Sequence, residues 1–174
     1  MNLRQIMSGL AAVVALTSVA TDRANAQGLP VSTLYQLGCI QIETGGYWRV
    51  AQNISVNRQI FTAVTYMGGI SKPGVYFADR VEMVCGLPGV RGLNLSVAFA
   101  DNAPYVDNRA QVRLVIYKDG QRSEEKIVRR GELANLAIDL TNTRSLAIGQ
   151  ECVTTSTDSN YCPNLYFMQE TLVR

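Results

Sequence analysis

The side chains best suited to hold a ligand gather in two polar stretches. Asp101-Asn102-Ala-Pro-Tyr105-Val-Asp107-Asn108-Arg109 places one aromatic ring, two carboxylates, two amides and a guanidinium within nine residues. Between Cys152 and Cys162 the run VTTSTDSNY adds Thr154, Asp158, Asn160 and Tyr161. Sugar recognition uses this mixture: a ring face covers the C–H surface of a pyranose, and planar polar groups bond its hydroxyls. Asp101, Asn102, Tyr105, Asp107, Asn108, Asp158 and Tyr161 are therefore the expected ligand-binding residues. Tyr47-Trp48, after Gly45-Gly46, is a third place of the same kind. Each has a plainer reading. Asp and Asn favour turns by bonding their own backbone, and a lone Trp commonly packs in a core or at its rim. Asp101, Asn102, Asp107 and Asn108 also offer hard oxygens to calcium, but at no EF-hand spacing, so no cofactor is expected.

Other chemistry is excluded by composition. The chain has no histidine, which removes Ser-His-Asp and Cys-His catalysis and histidine-bound metals. Glycoside hydrolysis needs two carboxylates facing each other across a cleft. The candidates Asp101, Asp107, Asp139 and Glu151 all fit turns or solvated faces, so no enzyme is expected. Four cysteines, Cys39, Cys85, Cys152 and Cys162, fit an exported protein with two disulfides. Three pairings are possible. The polar run between Cys152 and Cys162 can fold back on itself, which favours that pair and leaves Cys39 with Cys85. No Cys-x-x-Cys pair suggests zinc.

Residues 1–26 have the three parts of a secretory signal peptide: Arg4, the apolar run Gly9 to Ala20, and Ala24-Asn25-Ala26 as cleavage site. The run is shorter than the roughly 20 residues a membrane span needs. Residues 27–174 are then one secreted or periplasmic domain, with no membrane insertion. The whole chain carries a net charge of only +2. That balance gives no electrostatic reason to expect nucleic acid. Lys126, Arg129 and Arg130 lie among Glu124, Glu125 and Glu132, a mixed-charge solvated face.

The elements that must position these groups read as strands. Gln111 to Leu140 organises the chain. Val112, Leu114 and Ile116 alternate with Gln111, Arg113 and Val115, the period of a half-buried strand. Asp119-Gly120 is a two-residue hairpin signal, because glycine tolerates the positive φ such turns need. The charged return, Ser123 to Arg129, belongs near a sheet edge. Gly131 turns the chain again, and Leu136, Ile138 and Leu140 alternate inward. Leu93, Leu95, Val97 and Phe99 form the clearest strand of the first half; the positions between them, with Ala137, are small and carry no aromatic ring. Gln59 to Met67, Gly74 to Phe77, Val81 to Cys85, Ser145 to Gln150 and Leu165 to Val173 complete a ladder of short strands. Gly and Pro turns at regular spacing, without a helical period, predict an all-β antiparallel sandwich or barrel.

Arg91-Gly-Leu-Asn-Leu-Ser-Val-Ala-Phe-Ala-Asp101, Val112-Arg-Leu-Val-Ile-Tyr-Lys-Asp-Gly120, Leu136-Ala-Ile-Asp-Leu-Thr141 and Ser145-Leu-Ala-Ile148 together resemble the NPCBM family. These novel putative carbohydrate-binding modules are jelly-roll sandwiches related to galactose-binding-like domains. The likeness runs from Gln59 to Val173. It implies a galactose-binding-like antiparallel jelly roll and a non-catalytic module for a wall, sheath or matrix glycan. The family's last strand carries an Asp and a Trp near its end, whereas this chain reads Asn164-Leu-Tyr-Phe-Met-Gln169. A sandwich that has lost its sugar site and binds an extracellular protein, or serves as structure, is the alternative.

Overall fold

The computed structural model describes residues 32–42, 45–68, 80–101, 103, 107–154 and 162–174. The expected signal peptide, residues 1–26, and the strand expected at Gly74 to Phe77 lie outside them. Among the described residues, ten strands follow a 3-10 turn at Tyr35–Leu37: β1 (Ile40–Gln41), β2 (Gly46–Val56), β3 (Gln59–Gly68), β4 (Arg80–Gly86), β5 (Gly92–Ala98), β6 (Gln111–Lys118), β7 (Gln121–Arg129), β8 (Ala134–Asp139), β9 (Ser145–Thr154) and β10 (Leu165–Val173). They form two five-stranded sheets, β2-β3-β10-β5-β8 and β1-β4-β9-β6-β7, with every pairing antiparallel. The chain changes sheet at nearly every connection after β3, which gives the expected jelly-roll sandwich.

Alternation explains the core. Leu93, Leu95, Val97 and Phe99 face Val112, Leu114, Ile116, Leu146 and Ile148 across the sandwich, all nearly or fully buried. Ile138 and Leu140 join them, and Leu136 is half-buried against the same cluster. Two sheets whose inner side chains interdigitate in this way need no helix to close the core. Asp119 and Gly120 take positive φ, 49° and 81°, and turn β6 into β7. The charged strand β7 lies at the edge of its sheet, where unpaired backbone would otherwise invite another chain.

Both disulfides pair as the spacing suggested. Cys39–Cys85 ties the segment before β1 to β4, closing 46 residues, and Cys152–Cys162 ties β9 to the start of β10 across the sheets, closing 10. Each such link stabilises a fold by about 2–4 kcal/mol, chiefly by restricting the unfolded chain. Among the described residues no helix is long and apolar enough to cross a membrane.

A feature absent from the alternation pattern is the length of β2. It extends eleven residues, and its register with β3 shifts between Arg49 and Gln52. Such a bulge bends a strand and strengthens its twist. The distal half of the β2–β3 hairpin consequently folds across the outer face of its own sheet. Ile54, Val56, Phe61 and Ala63 cluster there with Ala98, Ala100, Leu133, Tyr166 and Met168. Ala98, outward by alternation, is therefore buried, and so is Ser96 on the same strand.

Candidate functional site

The strand directions bring the candidate loops to one end of the sandwich. β2 begins there at Gly46, β3 ends at Gly68 and β5 at Ala98, while β6, β8 and β10 begin there and β7 and β9 end there. The Cys152–Cys162 link and a 2.7 Å bond from Gln150 Nε2 to the Pro163 carbonyl hold the two sheets together at this end. Asn102, Tyr105, Asp158 and Tyr161 are outside the described residues. The strand ends that flank them, however, all lie here.

Three of the expected ligand residues are described, and local contacts account for each. The Asp101 carboxylate accepts from the Ser55 hydroxyl at 2.9 Å and from the Asn57 and Arg58 backbone N–H groups at 3.1 Å. The Asp101 N–H in turn donates to the Ser55 carbonyl at 2.8 Å. Asn57 and Arg58 carry positive φ, 48° and 63°, without the help of a glycine. Asp101 thus clamps a strained hairpin tip against the loop end. Partial burial pushes its carboxyl up, but the Arg58 N–H, the Ser55 hydroxyl, the Asn57 N–H and the Arg130 charge outweigh it and hold it below the usual carboxylate range. Asp107 accepts from the Arg109 N–H at 2.8 Å and from its guanidinium at 2.9 Å, the turn chemistry set against ligand binding at the outset. Arg130 donates to the Asn108 amide oxygen at 3.3 Å and to the Asp101 carbonyl, so one side chain joins both ends of the loop. No group of three acidic, His or Cys side chains gathers as a metal would require, among the described residues.

Beside this end lies an arrangement that the sequence did not disclose. Trp48 on β2, Tyr66 on β3 and Tyr166 on β10 are register partners in one row on the outer face. Their ring centroids are 5.0 Å and 5.9 Å apart, with planes inclined by 32° and 38°. Rings this close pack against one another in a tilted stack along the row. Burial, and then the neighbouring Tyr166, push the Tyr66 hydroxyl up, so it stays a neutral donor. Trp48 ends the stack on an edge strand: one face rests on Tyr66, and no described strand lies beyond the other. Gly46 is required beneath it, because a Cβ there would stand 2.1 Å from the indole ring. Trp48 is half-buried and held on two sides, a fixed ring at the rim of the loop end.

The outer face of this sheet is thus not the aromatic-free surface that Asn94, Ser96, Ala98 and Ala137 suggested; its rings come from the strands on the other side of β10. Tyr47, the other half of the Tyr47-Trp48 pair, turns inward and meets Phe167 edge-on at 5.6 Å. The pairs Tyr47-Trp48, Thr65-Tyr66 and Tyr166-Phe167 each carry one inward and one outward side chain. Consecutive large side chains are the trace such a two-sided strand leaves in a sequence, but only the register shows that the outward ones meet.

No family profile matches the chain, and no curated protein matches it in sequence. Solved structures do match in shape. The CBM51-2 and INT domains of Clostridium perfringens ZmpB align with a TM-score of 0.60 at 14% identity, over 81% of this chain and 31% of that one. The same domains have been solved with GlcNAc, at the same score and coverage. A CBM51 from Clostridium perfringens GH95, in complex with methyl-galactose, aligns with a TM-score of 0.52 at 10% identity, over 76% of this chain and 92% of that one. The chain spans about a third of the first structure's length and nearly all of the last. At these identities the likeness establishes the fold alone, an antiparallel two-sheet jelly-roll sandwich.

Proposed function

We propose that this protein is an exported, non-catalytic carbohydrate-binding module that seats a pyranose on the outer face of Trp48. The observation that carries this reading is the backed ring: an indole packed on Tyr66, itself packed on Tyr166, seated on Gly46, at a sheet edge beside the loop end. A ring already immobilised loses little further freedom when a sugar lands on it, which favours binding. Asn102, Tyr105, Asp158 and Tyr161 supply the polar contacts in this reading, with Asn108 beside them. Asp101 and Asp107 act as loop supports. The module fold of the neighbours, the sugars in two of their structures and the resemblance to NPCBM modules all support a glycan ligand. Two disulfides support a place outside the cytoplasm. Glu151 pairs with Arg113 at 3.2 Å, and Asp139 accepts from the Thr141 N–H at 2.9 Å, so local contacts account for both acids.

A second reading, an extracellular structural or protein-binding sandwich, is favoured by one observation: most of the aromatic face is spent within the stack itself. Glycan-array screening, followed by titration calorimetry with the best galactose- or GlcNAc-containing hit, separates the two. Trp48→Ala is expected to weaken binding about tenfold, the equivalent of roughly 1.4 kcal/mol for a lost stacking contact. Binding that survives this substitution unchanged, in a variant that remains folded, places the sugar elsewhere. A complete absence of glycan binding together with capture of a defined extracellular protein supports the second reading.

A further inference from the structure

Two acidic side chains are buried among the described residues, and the fold treats them differently. Glu82, on the outer face of the second sheet, lies 2.5 Å from the Arg80 guanidinium. Glu170, in the interior on β10, is 3% exposed and pairs with no cation among the described residues. Its carboxylate accepts from the Tyr47 hydroxyl and, at 3.0 Å, from the Thr65 hydroxyl. From the 3-10 turn the Tyr35 backbone N–H also bonds it. β5 presents Leu95 opposite. Arg49, the register partner of Thr65, is exposed and makes no ion pair with Glu170. Among the described residues, the titratable groups nearest the carboxyl are therefore Tyr47 and Tyr35. Hydroxyl and amide donors only partly replace water around a carboxylate, and nothing here supplies a balancing charge. Burial accordingly pushes the Glu170 carboxyl up to about 7, against the smaller opposing pull of the Tyr35 N–H.

The position of this carboxyl matters as much as its environment. Tyr47 is the chain neighbour of Trp48, Thr65 is the neighbour of Tyr66, and Glu170 shares β10 with Tyr166. The carboxyl therefore joins, from below, the same three strands that carry the stack above. We propose that Glu170 is a proton-operated latch for the aromatic stack: protonated, it closes β2, β3 and β10 together in a dry core, and ionised, it loosens β2 and β3 from β10 and with them the seating of Trp48. The latch stands on the interior alone and holds whether or not a sugar binds at Trp48.

The test needs no ligand. Trp48 is the sole tryptophan, so its fluorescence reports the top of the stack, and the absence of histidine removes the usual source of transitions near neutral pH. Titration of the folded protein from pH 5 to 9 is expected to shift the Trp48 emission in a single-proton step near neutrality. In Glu170→Gln the step is expected to vanish. A step that persists in Glu170→Gln overturns the latch. So does a wild-type Glu170 carboxyl whose 13C shift titrates in the ordinary range near 4 to 5. A Glu170 that titrates near neutrality while Trp48 emission stays flat also overturns it, by disconnecting the proton from the stack. The 13C titration uses the wild type and decides the matter if the Gln variant does not fold. A failed sugar assay with this step intact would count against the sugar platform alone.

Discussion

The outer faces of the two sheets are built on opposite plans over similar inner faces. On the first sheet the part of the outer face nearest the loop end is apolar and aromatic, and the folded-back hairpin covers some of it with Ile54, Val56 and Phe61. On the second, Arg113 pairs with Glu151 at 3.2 Å and Glu125 at 3.7 Å, Arg80 with Glu82 at 2.5 Å, and Lys118 with Glu124 at 3.4 Å. Its middle is nevertheless packed, since Val115 is fully buried beneath this charged layer. The difference is one of permanence. Burial of apolar area is insensitive to salt and costs several kcal/mol to disrupt, whereas exposed ion pairs add little and weaken as salt rises. The first sheet can therefore hold a rigid ring at its edge, while the second offers solubility and a surface that tolerates change.

The largest effect expected from this contrast comes from the covering hairpin. Ile54 is 3% exposed, although it lies outside the inter-sheet core. Ile54→Ala is expected to cost about 3 to 4 kcal/mol, as for a core residue, because it leaves a cavity over Ala98 and Tyr166. Chemical denaturation of the variant measures this directly. A loss below about 0.5 kcal/mol, the usual surface value, would falsify the claim that the first sheet's outer face is a second core.

How much of this was legible beforehand depended on whether a residue's role was local. Leu93 to Phe99 and Val112 to Ile116 declared their strands by alternation, Asp119-Gly120 declared its turn, and the charges of β7 declared an edge. The disulfide pairing followed from the short polar run between Cys152 and Cys162. What stayed hidden depends on register. The shift between Arg49 and Gln52 breaks the two-residue period in β2, so Ile54 and Val56 read as an indistinct stretch. The turn at Asn57-Arg58 has no glycine because Asp101, more than forty residues away, holds it; nothing local advertises that. Trp48, Tyr66 and Tyr166 are single large residues in three separate strands, and their meeting is a consequence of pairing alone. Glu170 sits after the bulge between Phe167 and Gln169, which turns it inward against its polarity.

The next effect in size is the pH dependence of stability, where two carboxyls oppose each other. Glu170 rises from 4.5 unfolded to about 7 folded. Between those values the folded chain holds more protons than the unfolded one, so this group's contribution falls as pH rises, by about 3 kcal/mol in all. Asp101 is held below its ordinary 3.8, so its contribution is present above that value and is lost as pH falls through the folded one. Stability is thus expected to be greatest near pH 4 to 5. Denaturation midpoints taken from pH 3 to 8 check the curve, and Glu170→Gln should flatten its alkaline side and leave its acid side in place. A wild-type midpoint that climbs steadily from pH 5 to 8 would contradict the assignment.

The smallest effect belongs to the second sheet. Glu125 pairs with Arg113 at 3.7 Å and also with Arg122, but its side chain is half exposed and water screens both contacts. Arg113 keeps its closer partner Glu151 when Glu125 is removed, and Arg122 is half exposed to water, so no buried charge is left stranded. Glu125→Gln is therefore expected to cost about 0.5 kcal/mol or less, and less again in 1 M salt. The same salt should leave the cost of Ile54→Ala essentially unchanged, because that loss is one of packing. Measuring both variants at low and high salt thus compares the two faces in one experiment. If Glu125→Gln costs as much as Ile54→Ala, or resists salt equally, the ion-pair layer is part of the folded core and the division between the two faces is lost.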